Sequence, residues 1–176
     1  MVKEKIRAKA KALGFDAVGF TSTVAAPGDE HALSKFLSNG WNGEMAWMEN
    51  TNGRRPDPQK TMPSAKSIIV LGMNYGPTEN PLTNLEHTDR GNISVYARAT
   101  KDYHDVVKKR LKQLGRWLVE EFSEDIKVFV DTAPIMEKPL AARAGLGWQA
   151  KHTNIVSKDY GSWLFLGEIF TELDIP

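Results

Sequence analysis

The chain has 176 residues, of which 41% are apolar and 26% are charged, and its net charge is +1. This length corresponds to a single domain with a sizeable core, and the balanced composition excludes a disordered chain and a strongly basic nucleic-acid coat. The absence of cysteine excludes disulfides, a cysteine nucleophile and iron–sulfur ligation by this chain. No apolar run approaches the roughly 20 residues of a membrane span, and the charged start is unlike a signal peptide. We therefore expect a cytoplasmic protein without a membrane partner.

The first part of the chain predicts two helices, one strand and an irregular segment. Apolar residues recur at helical spacing over Val2–Leu13, and Gly14 is placed to end that helix. Phe15–Thr21 predicts a short strand. Asp29 follows a Pro-Gly turn and is the expected N-cap of a second helix. Three prolines predict irregular structure over residues 52–63.

The remaining chain alternates strands and helices. Ser67–Tyr75 is a continuous apolar run typical of a buried central strand, and Asp102–Phe122 has the apolar stripe of a long helix. Ile126–Val130 predicts a second buried strand, followed by a helix over Glu137–Ala144. The segment Asn154–Thr171 predicts a β-hairpin around a polar turn. These elements indicate a mixed α/β or α+β sandwich.

Asp131 is the most suggestive single residue, because it directly follows the strand Ile126–Val130. Groups just beyond a strand end are well placed to line a cleft. A carboxyl group flanked there by apolar atoms would have a raised pKa and could donate a proton. The alternative is a structural aspartate that bonds its own turn or caps the next helix. The residues alone leave both readings open.

The segment Gly145–Ala150 matches the G-x-G-x-x-A pattern of dinucleotide-binding loops. That mechanism needs a strand before the glycines and a helix after them. Here a helix precedes and a hairpin is expected to follow, so the pattern favours a helix end at Gly145 and a turn at Gly147. A third reading is that the glycines allow the backbone to approach a large flat ligand.

The tetrad Asp102–Asp105 resembles part of the D-x-H-x-x-G signature with which some corrinoid proteins supply an axial histidine to cobalt. Val107 stands where the glycine would be. Asp102 also opens a helix, where a carboxylate is a favourable N-cap. The cap reading is preferred, and His104 is not expected to be an axial ligand.

Two further sets of side chains allow both a structural and a binding interpretation. Basic and imidazole groups in predicted turns are solvated surface charges or contacts for phosphate and carboxylate groups. They are Arg54, Arg55, Lys138, Arg143, Lys151 and His152. Tryptophans near glycines favour core packing, with a stacking wall for a flat cofactor as the alternative. They are Trp41, Trp47, Trp148 and Trp163.

Six sequence blocks together resemble the N-terminal, cobalamin-binding part of epoxyqueuosine reductases. They span residues 65–70, 91–98, 101–107, 130–140, 144–154 and 161–171. The resemblance covers essentially the whole chain. It implies reduction of epoxyqueuosine to queuosine in tRNA, the last step in making this modified base. It also implies a nitroreductase-like domain, related to reductive dehalogenases, with a central, mostly antiparallel sheet flanked by helices.

The resemblance further implies how the activity is divided between domains. Residues 1–176 correspond to the cobalamin-binding catalytic domain. Members of the family continue into a ferredoxin-like domain with two 4Fe-4S clusters, through which an electron donor reduces the cobalt. That domain is absent from this chain, so we expect a fragment or a naturally split protein that is inactive alone. We also expect a monomer whose partner is a tRNA carrying epoxyqueuosine at the wobble position.

Site residues carry over from the matching blocks. Asp131 corresponds to the family's proton donor and is also expected to contact the cofactor. The other positions expected against cobalamin are Arg55, Ala97, Ile155 and Leu166, the last two through backbone groups. No axial imidazole and no metal ligand from this chain are implied, so the cofactor is expected with its own base displaced. Four residues in shared motifs receive no role, namely Tyr103, His104, Lys151 and His152.

Two other functions fit the sequence less well. One is a corrinoid-binding or trafficking module without catalysis. The other, by fold analogy alone, is a flavin-dependent enzyme of the nitroreductase class. Loss of turnover without loss of cofactor in an Asp131→Asn variant separates the reductase from the module, and a bound yellow chromophore identifies a flavin enzyme.

Overall fold

The computed structural model describes residues 1–49, 53–131 and 133–175. This part contains five α-helices, six β-strands and three short 3₁₀ segments. The helices are α1 (Val2–Ala12), α2 (Pro27–Ser38), α3 (Pro58–Thr61), α4 (Tyr103–Phe122) and α5 (Glu137–Arg143). The strands are β1 (Ala17–Ser22), β2 (Ser67–Asn74), β3 (Ile126–Phe129), β4 (Trp148–Gln149), β5 (Ile155–Val156) and β6 (Leu164–Thr171). None of the helices in the described ranges is long and apolar enough to cross a bilayer.

A four-stranded antiparallel sheet in the order β1-β2-β6-β3 forms the centre of the domain. The apolar run of β2 lies inside it, where both faces of the strand are covered by other elements. The expected central, mostly antiparallel sheet flanked by helices is therefore confirmed.

Helices cover both faces of the sheet, so the protein has two apolar cores. Successive side chains of a strand point to opposite faces. Ile69 and Ile169 pack with α1 and with the apolar stripe of α4 on one side. Ile68 and Phe170 pack with α5 on the other side. The second core supports the turn that follows β3.

The predicted hairpin over Asn154–Thr171 is wrong. Ser157 and Gly161 do form a bridge around the polar turn. Beyond it, β5 pairs with β4, whereas β6 enters the main sheet between β2 and β3. The turn was identified correctly, but the apolar β6 strand gains more by lying between two long partners than by pairing with two-residue β5.

Three smaller expectations also need correction. Helix α2 begins at Pro27 with Ala26 as its N-cap, so Asp29 lies within the first turn. The segment expected to be irregular contains α3, capped by Asp57, whose side chain accepts a hydrogen bond from the Gln59 amide at 3.0 Å. Residue 52 of that segment lies outside the described ranges. Strand β3 is an edge strand and is only half-buried.

A carboxylate–imidazole cluster beyond strand β3

Asp131 lies just beyond the end of β3, after the buried Val130. Its backbone has a φ of 51°, in the left-handed region that aspartate tolerates better than most side chains. The turn leaves the Asp131 side chain 57% exposed. Asp131 thus follows the strand end, as the sequence predicts, but its carboxyl group lies at the surface and is not enclosed by apolar atoms.

The first turn of α4 brings two partners to this carboxyl group. The Tyr103 hydroxyl donates to Asp131 Oδ2 at 2.8 Å, and His104 Nε2 lies 3.0 Å from the same oxygen. Asp102 caps the helix by accepting from the His104 amide at 2.8 Å, and its Oδ1 lies 2.7 Å from His104 Nδ1. The N-cap reading of the tetrad is therefore confirmed.

The His104 ring lies between two carboxylates, and this determines its charge. Only a protonated imidazole can donate from both nitrogens at once. Partial burial acts to lower the pKa of His104, but hydrogen bonds to Asp102 and Asp131 and their charges raise it above its ordinary value. The arrangement therefore favours an imidazolium.

The pKa of Asp131 is lowered, whereas the sequence analysis predicts a raised pKa. Burial acts to raise it, but hydrogen bonds from Tyr103 and His104, with the charges of His104 and Lys138, outweigh burial and lower the pKa. The expected apolar surroundings are replaced by donors from α4. In this arrangement the cluster's mobile proton is on His104, and Asp131 is the carboxylate that can receive it.

Stacked rings fix the position of the two α4 side chains. Tyr103 stacks on His104 with ring centroids 4.0 Å apart and on Phe165 at 4.1 Å. Phe165 stacks in turn on Tyr75 at 4.1 Å, and Tyr96 meets the edge of Tyr103 at 6.5 Å. Burial and the charge of Asp131 raise the pKa of Tyr103, so its hydroxyl stays protonated and acts as a donor.

Beneath Asp131 lies a second pair of carboxyl groups that the sequence analysis missed. Glu137 Oε1 accepts a hydrogen bond from the Asp131 backbone amide at 2.5 Å. Glu168 on β6 is fully buried, and neither of its carboxyl oxygens has a hydrogen-bond partner among the described residues. The only signal available was a glutamate inside the otherwise apolar strand Leu164–Phe170.

The buried pair has pKa values shifted in the opposite direction from Asp131. Burial and the charge of Glu137 raise the pKa of Glu168 well above its ordinary value. Burial also raises the pKa of Glu137, although the Asp131 amide opposes that shift. The Glu137 and Glu168 carboxyls are near enough for each to shift the pKa of the other. Burial and the neighbouring Glu137 charge therefore favour the protonated form of the Glu168 carboxyl.

Two of the predicted cofactor positions lie in segments that approach neighbours of the cluster, Arg55 near Glu137 and Ala97 next to Tyr96. Arg55 is half-buried, is attracted by Glu137, and has its guanidinium 5.1 Å from the centre of the Trp47 ring. Its Nε is buried without a hydrogen-bond partner in the described ranges. Ala97 lies in the exposed 3₁₀ segment Val95–Arg98, beside the ring of Tyr96.

Ile155 and Leu166 occupy a different environment. The Ile155 side chain is 5% exposed, and both residues belong to the core under α5. Their side chains are core residues, and the expected backbone contacts to a cofactor stay predictions. Lys151 and His152 lie in the loop between β4 and β5, where His152 accepts from the Asn154 amide at 3.2 Å.

The structure also decides between the interpretations that the sequence left open for the glycine pattern Gly145–Ala150. Gly145 ends α5 with a φ of 79°, and a Cβ on Gly147 would lie 2.1 Å from the Val156 carbonyl oxygen. Close approach of two chain segments explains these glycines. The dinucleotide-binding interpretation does not hold, because a helix and not a strand precedes the glycines.

Core packing is wrong for three tryptophans, since Trp41, Trp47 and Trp148 are each more than half exposed.

Known proteins share this fold and sequence. A reductive dehalogenase associated with B12-dependent dehalogenation superposes with a TM-score of 0.55 at 16% identity, over 98% of this chain and 20% of that one. At that identity only the fold is shared. The sheet and its helical layers place the chain in the same fold class as this reductase.

Sequence similarity is more specific. The family described as epoxyqueuosine reductase QueG, DUF1730, matches residues 55–132. An epoxyqueuosine reductase from Synechocystis is 41% identical over 161 residues, which are 90% of this chain and 54% of that protein. The chain is a homologue of the epoxyqueuosine reductases, and it spans about half the length of the relatives it matches.

Solved structures agree with this assignment. An epoxyqueuosine reductase bound to an epoxyqueuosine-modified tRNA-Tyr stem loop has a TM-score of 0.84 at 29% identity, covering 99% of this chain and 46% of that one. The Bacillus subtilis enzyme, with its catalytic aspartate loop swung out of the active site, has a TM-score of 0.80 at 28% identity and the same coverage.

Proposed function

We propose that this chain is the cobalamin-binding catalytic domain of an epoxyqueuosine reductase, spanning residues 1–176, and that it acts in the cytoplasm on tRNA carrying epoxyqueuosine. The observation that carries the proposal is the cluster of Asp131, His104 and Tyr103. The relative solved with a modified tRNA stem loop supports the substrate. The aspartate loop of the Bacillus subtilis relative supports a catalytic role for Asp131.

The overall reaction consumes two electrons and two protons, and the epoxide oxygen leaves as water while the alkene forms. Cobalamin, when bound, supplies the electron pair. His104 holds one of these protons in hydrogen bonds to two carboxylates, and Asp131 takes it up and passes it to the departing oxygen. Tyr103 fixes the Asp131 carboxylate, and the second proton comes from solvent. This division suits general acid catalysis, because the donor is replenished near neutral pH.

The residues present suit a corrin cofactor. Arg55 Nε is a buried donor without an acceptor in the described ranges, and the corrin margin carries amide groups while its nucleotide tail carries a phosphate. Ala97 is small and exposed next to Tyr96, a ring that is 51% exposed. His104 contacts a carboxylate through each ring nitrogen, which supports a cofactor without an imidazole ligand from this chain.

Electron supply belongs to a separate part of the reductase in this proposal. Four-iron clusters are held by cysteine thiolates, and the chain contains none. We therefore assign the two 4Fe-4S clusters and the contact with the electron donor to a ferredoxin-like domain outside this sequence. The domain itself is proposed to be monomeric.

The test is a titration of the purified chain with cob(II)alamin, followed by absorbance and electron paramagnetic resonance. We expect saturable binding with a base-off spectrum. Arg55→Met should weaken binding about tenfold, the effect of one charge-assisted hydrogen bond. Arg116→Met on α4, whose Nε donates to the Lys112 carbonyl, is the matched control. A folded chain that carries flavin, or that ignores cobalamin, contradicts the proposal.

A further inference from the structure

We propose that Glu137 is a positioning residue that holds Asp131 in its active conformation, and that Glu168 supports it by keeping a proton between the two buried carboxyls. This inference rests on the proposed function only in that it takes this conformation of Asp131 to be the catalytically active one. The hydrogen bond, the burial and the backbone conformation on which it stands are independent of the reaction. Neither glutamate takes part in the proton transfer proposed above.

The backbone of Asp131 adopts a conformation that other contacts must hold. Its left-handed φ of 51° is unfavourable for a side chain with a Cβ and persists only when surrounding contacts hold it. The Asp131 carboxylate is 57% exposed, so solvent competes for its bonds to Tyr103 and His104. The backbone contact is different, because Glu137 accepts from the Asp131 amide at 2.5 Å and is itself largely enclosed. Glu137 therefore holds the backbone, and α4 holds the side chain.

The surroundings of Glu168 disfavour its ionised form. It lies in β6 between Val70 of β2 and Phe129 of β3, and it is completely buried. An ionised carboxylate there would have no hydrogen-bond partner among the described residues, and such a charge is strongly disfavoured. Because Glu137 is its neighbouring carboxyl, the proton that one of them must keep lies with the more buried Glu168.

The buried carboxyl pair and the Asp131 backbone are coupled through Glu137. A protonated Glu168 can donate toward Glu137, which leaves Glu137 as the anion that accepts from the Asp131 amide. The charged groups around Glu137 are Lys138 on α5, Arg55 before α3, Asp131 and Glu168. The two cations stabilise the Glu137 anion. Loss of the Glu168 proton would place two negative charges side by side and weaken the contact that holds Asp131.

The experiment measures amide hydrogen exchange at Asp131 by NMR on the chain without cofactor or tRNA. Glu137→Ala should speed exchange about tenfold, the effect of losing one hydrogen bond to a charged acceptor. Glu137→Gln keeps an acceptor oxygen and should give a smaller increase. Glu168→Gln keeps a buried donor and should leave exchange within about threefold of the wild type. Glu30→Ala, in the exposed first turn of α2, is the matched control.

Infrared spectroscopy tests the proton separately. At neutral pH the chain should show the carbonyl band of a protonated, buried carboxylic acid, which disappears in Glu168→Gln and persists in Asp131→Asn. Absence of this band overturns the role of Glu168. Unchanged Asp131 exchange in folded Glu137→Ala overturns the role of Glu137, and Glu137→Gln gives the same decision if the alanine variant does not fold. Neither readout depends on turnover, so failure here is distinguishable from failure of the proposed function.

Discussion

Four carboxyl groups on the two sides of the Asp131 peptide differ in their protonation. On the exposed side, donors from α4 lower the pKa of Asp131, and the His104 amide and ring lower the pKa of Asp102. On the buried side, Glu137 and Glu168 have raised pKa values because burial outweighs the available donors. Asp131 and Asp102 are thus favoured as anions above the turn, whereas burial favours the protonated form of Glu168 below it. The direction of each pKa shift depends on how many hydrogen-bond donors reach the carboxyl to offset its burial.

The largest expected effect comes from removing the exposed carboxylate. Asp131→Asn should reduce turnover by about a thousandfold, the usual range for loss of a general acid, while cobalamin still binds. Turnover is measured after the chain is joined to the iron–sulfur domain of a relative, with cobalamin and an epoxyqueuosine-containing tRNA stem loop. The control is Asp125→Asn, an exposed carboxylate at the opposite end of β3. Equal activity of the two variants would remove Asp131 from the mechanism.

A smaller effect should follow when the buried side is disturbed through packing alone. Helix α5 carries Glu137 and lies against β1, and a Cβ on Gly19 would be 2.2 Å from the Ala144 carbonyl oxygen. Gly19→Ala should lower the free energy of unfolding by about 3 kcal/mol, as overpacking of a tight contact does. Urea denaturation measures this. Gly28→Ala, where a Cβ meets nothing within 4 Å, is the control. A change of less than about 0.5 kcal/mol would show that α5 can move freely.

The smallest effect is a dependence of stability on pH. Because the pKa of His104 is raised on folding, its stabilisation is present below the unfolded pKa and is lost as pH rises through the folded pKa. The lowered pKa of Asp131 has the reverse effect, and its stabilisation is lost as pH falls through the folded value. The raised pKa of Glu168 acts in the same direction as that of His104.

The wild-type chain should therefore become less stable as pH rises from mildly acidic to mildly alkaline values. His104→Gln should reduce this dependence by less than about 1 kcal/mol, because its partners are solvated. Glu168→Gln should also flatten it, because an uncharged amide has no proton to lose. The measurement is the free energy of unfolding in urea across this pH range. A wild-type stability that rises over the range would contradict the pKa directions given for both residues.

The sequence predicted those parts of the molecule that depend on local pattern. The continuous apolar run of β2 and the helical stripe of α4 both lie where expected, and Asp102 caps α4. The position of Asp131 beyond a strand was also predicted. Each of these features is determined by residues close together in the chain.

Features that depend on distant partners were not predictable in this way. The pKa of Asp131 is set by Tyr103 and His104, which are 28 and 27 residues away in the sequence. The pairing of β6 depends on β2, and the role of Glu168 depends on a glutamate in another element. A glutamate in a strand is ordinary until the fold shows that it faces a second carboxyl.

The stacked rings near the cluster have a consequence for how a proton can move. One column of successive ring stacks links Tyr75, just beyond β2, to Phe165 on β6 and to Tyr103 and His104 on α4. A ring held on one face by such a stack keeps its orientation when its charge changes, so a proton can leave without prior side-chain rotation. The imidazole ring has already lost its conformational freedom on folding. Proton transfer itself therefore requires little reorganisation of the ring. The column therefore holds His104 as a proton donor in one fixed orientation.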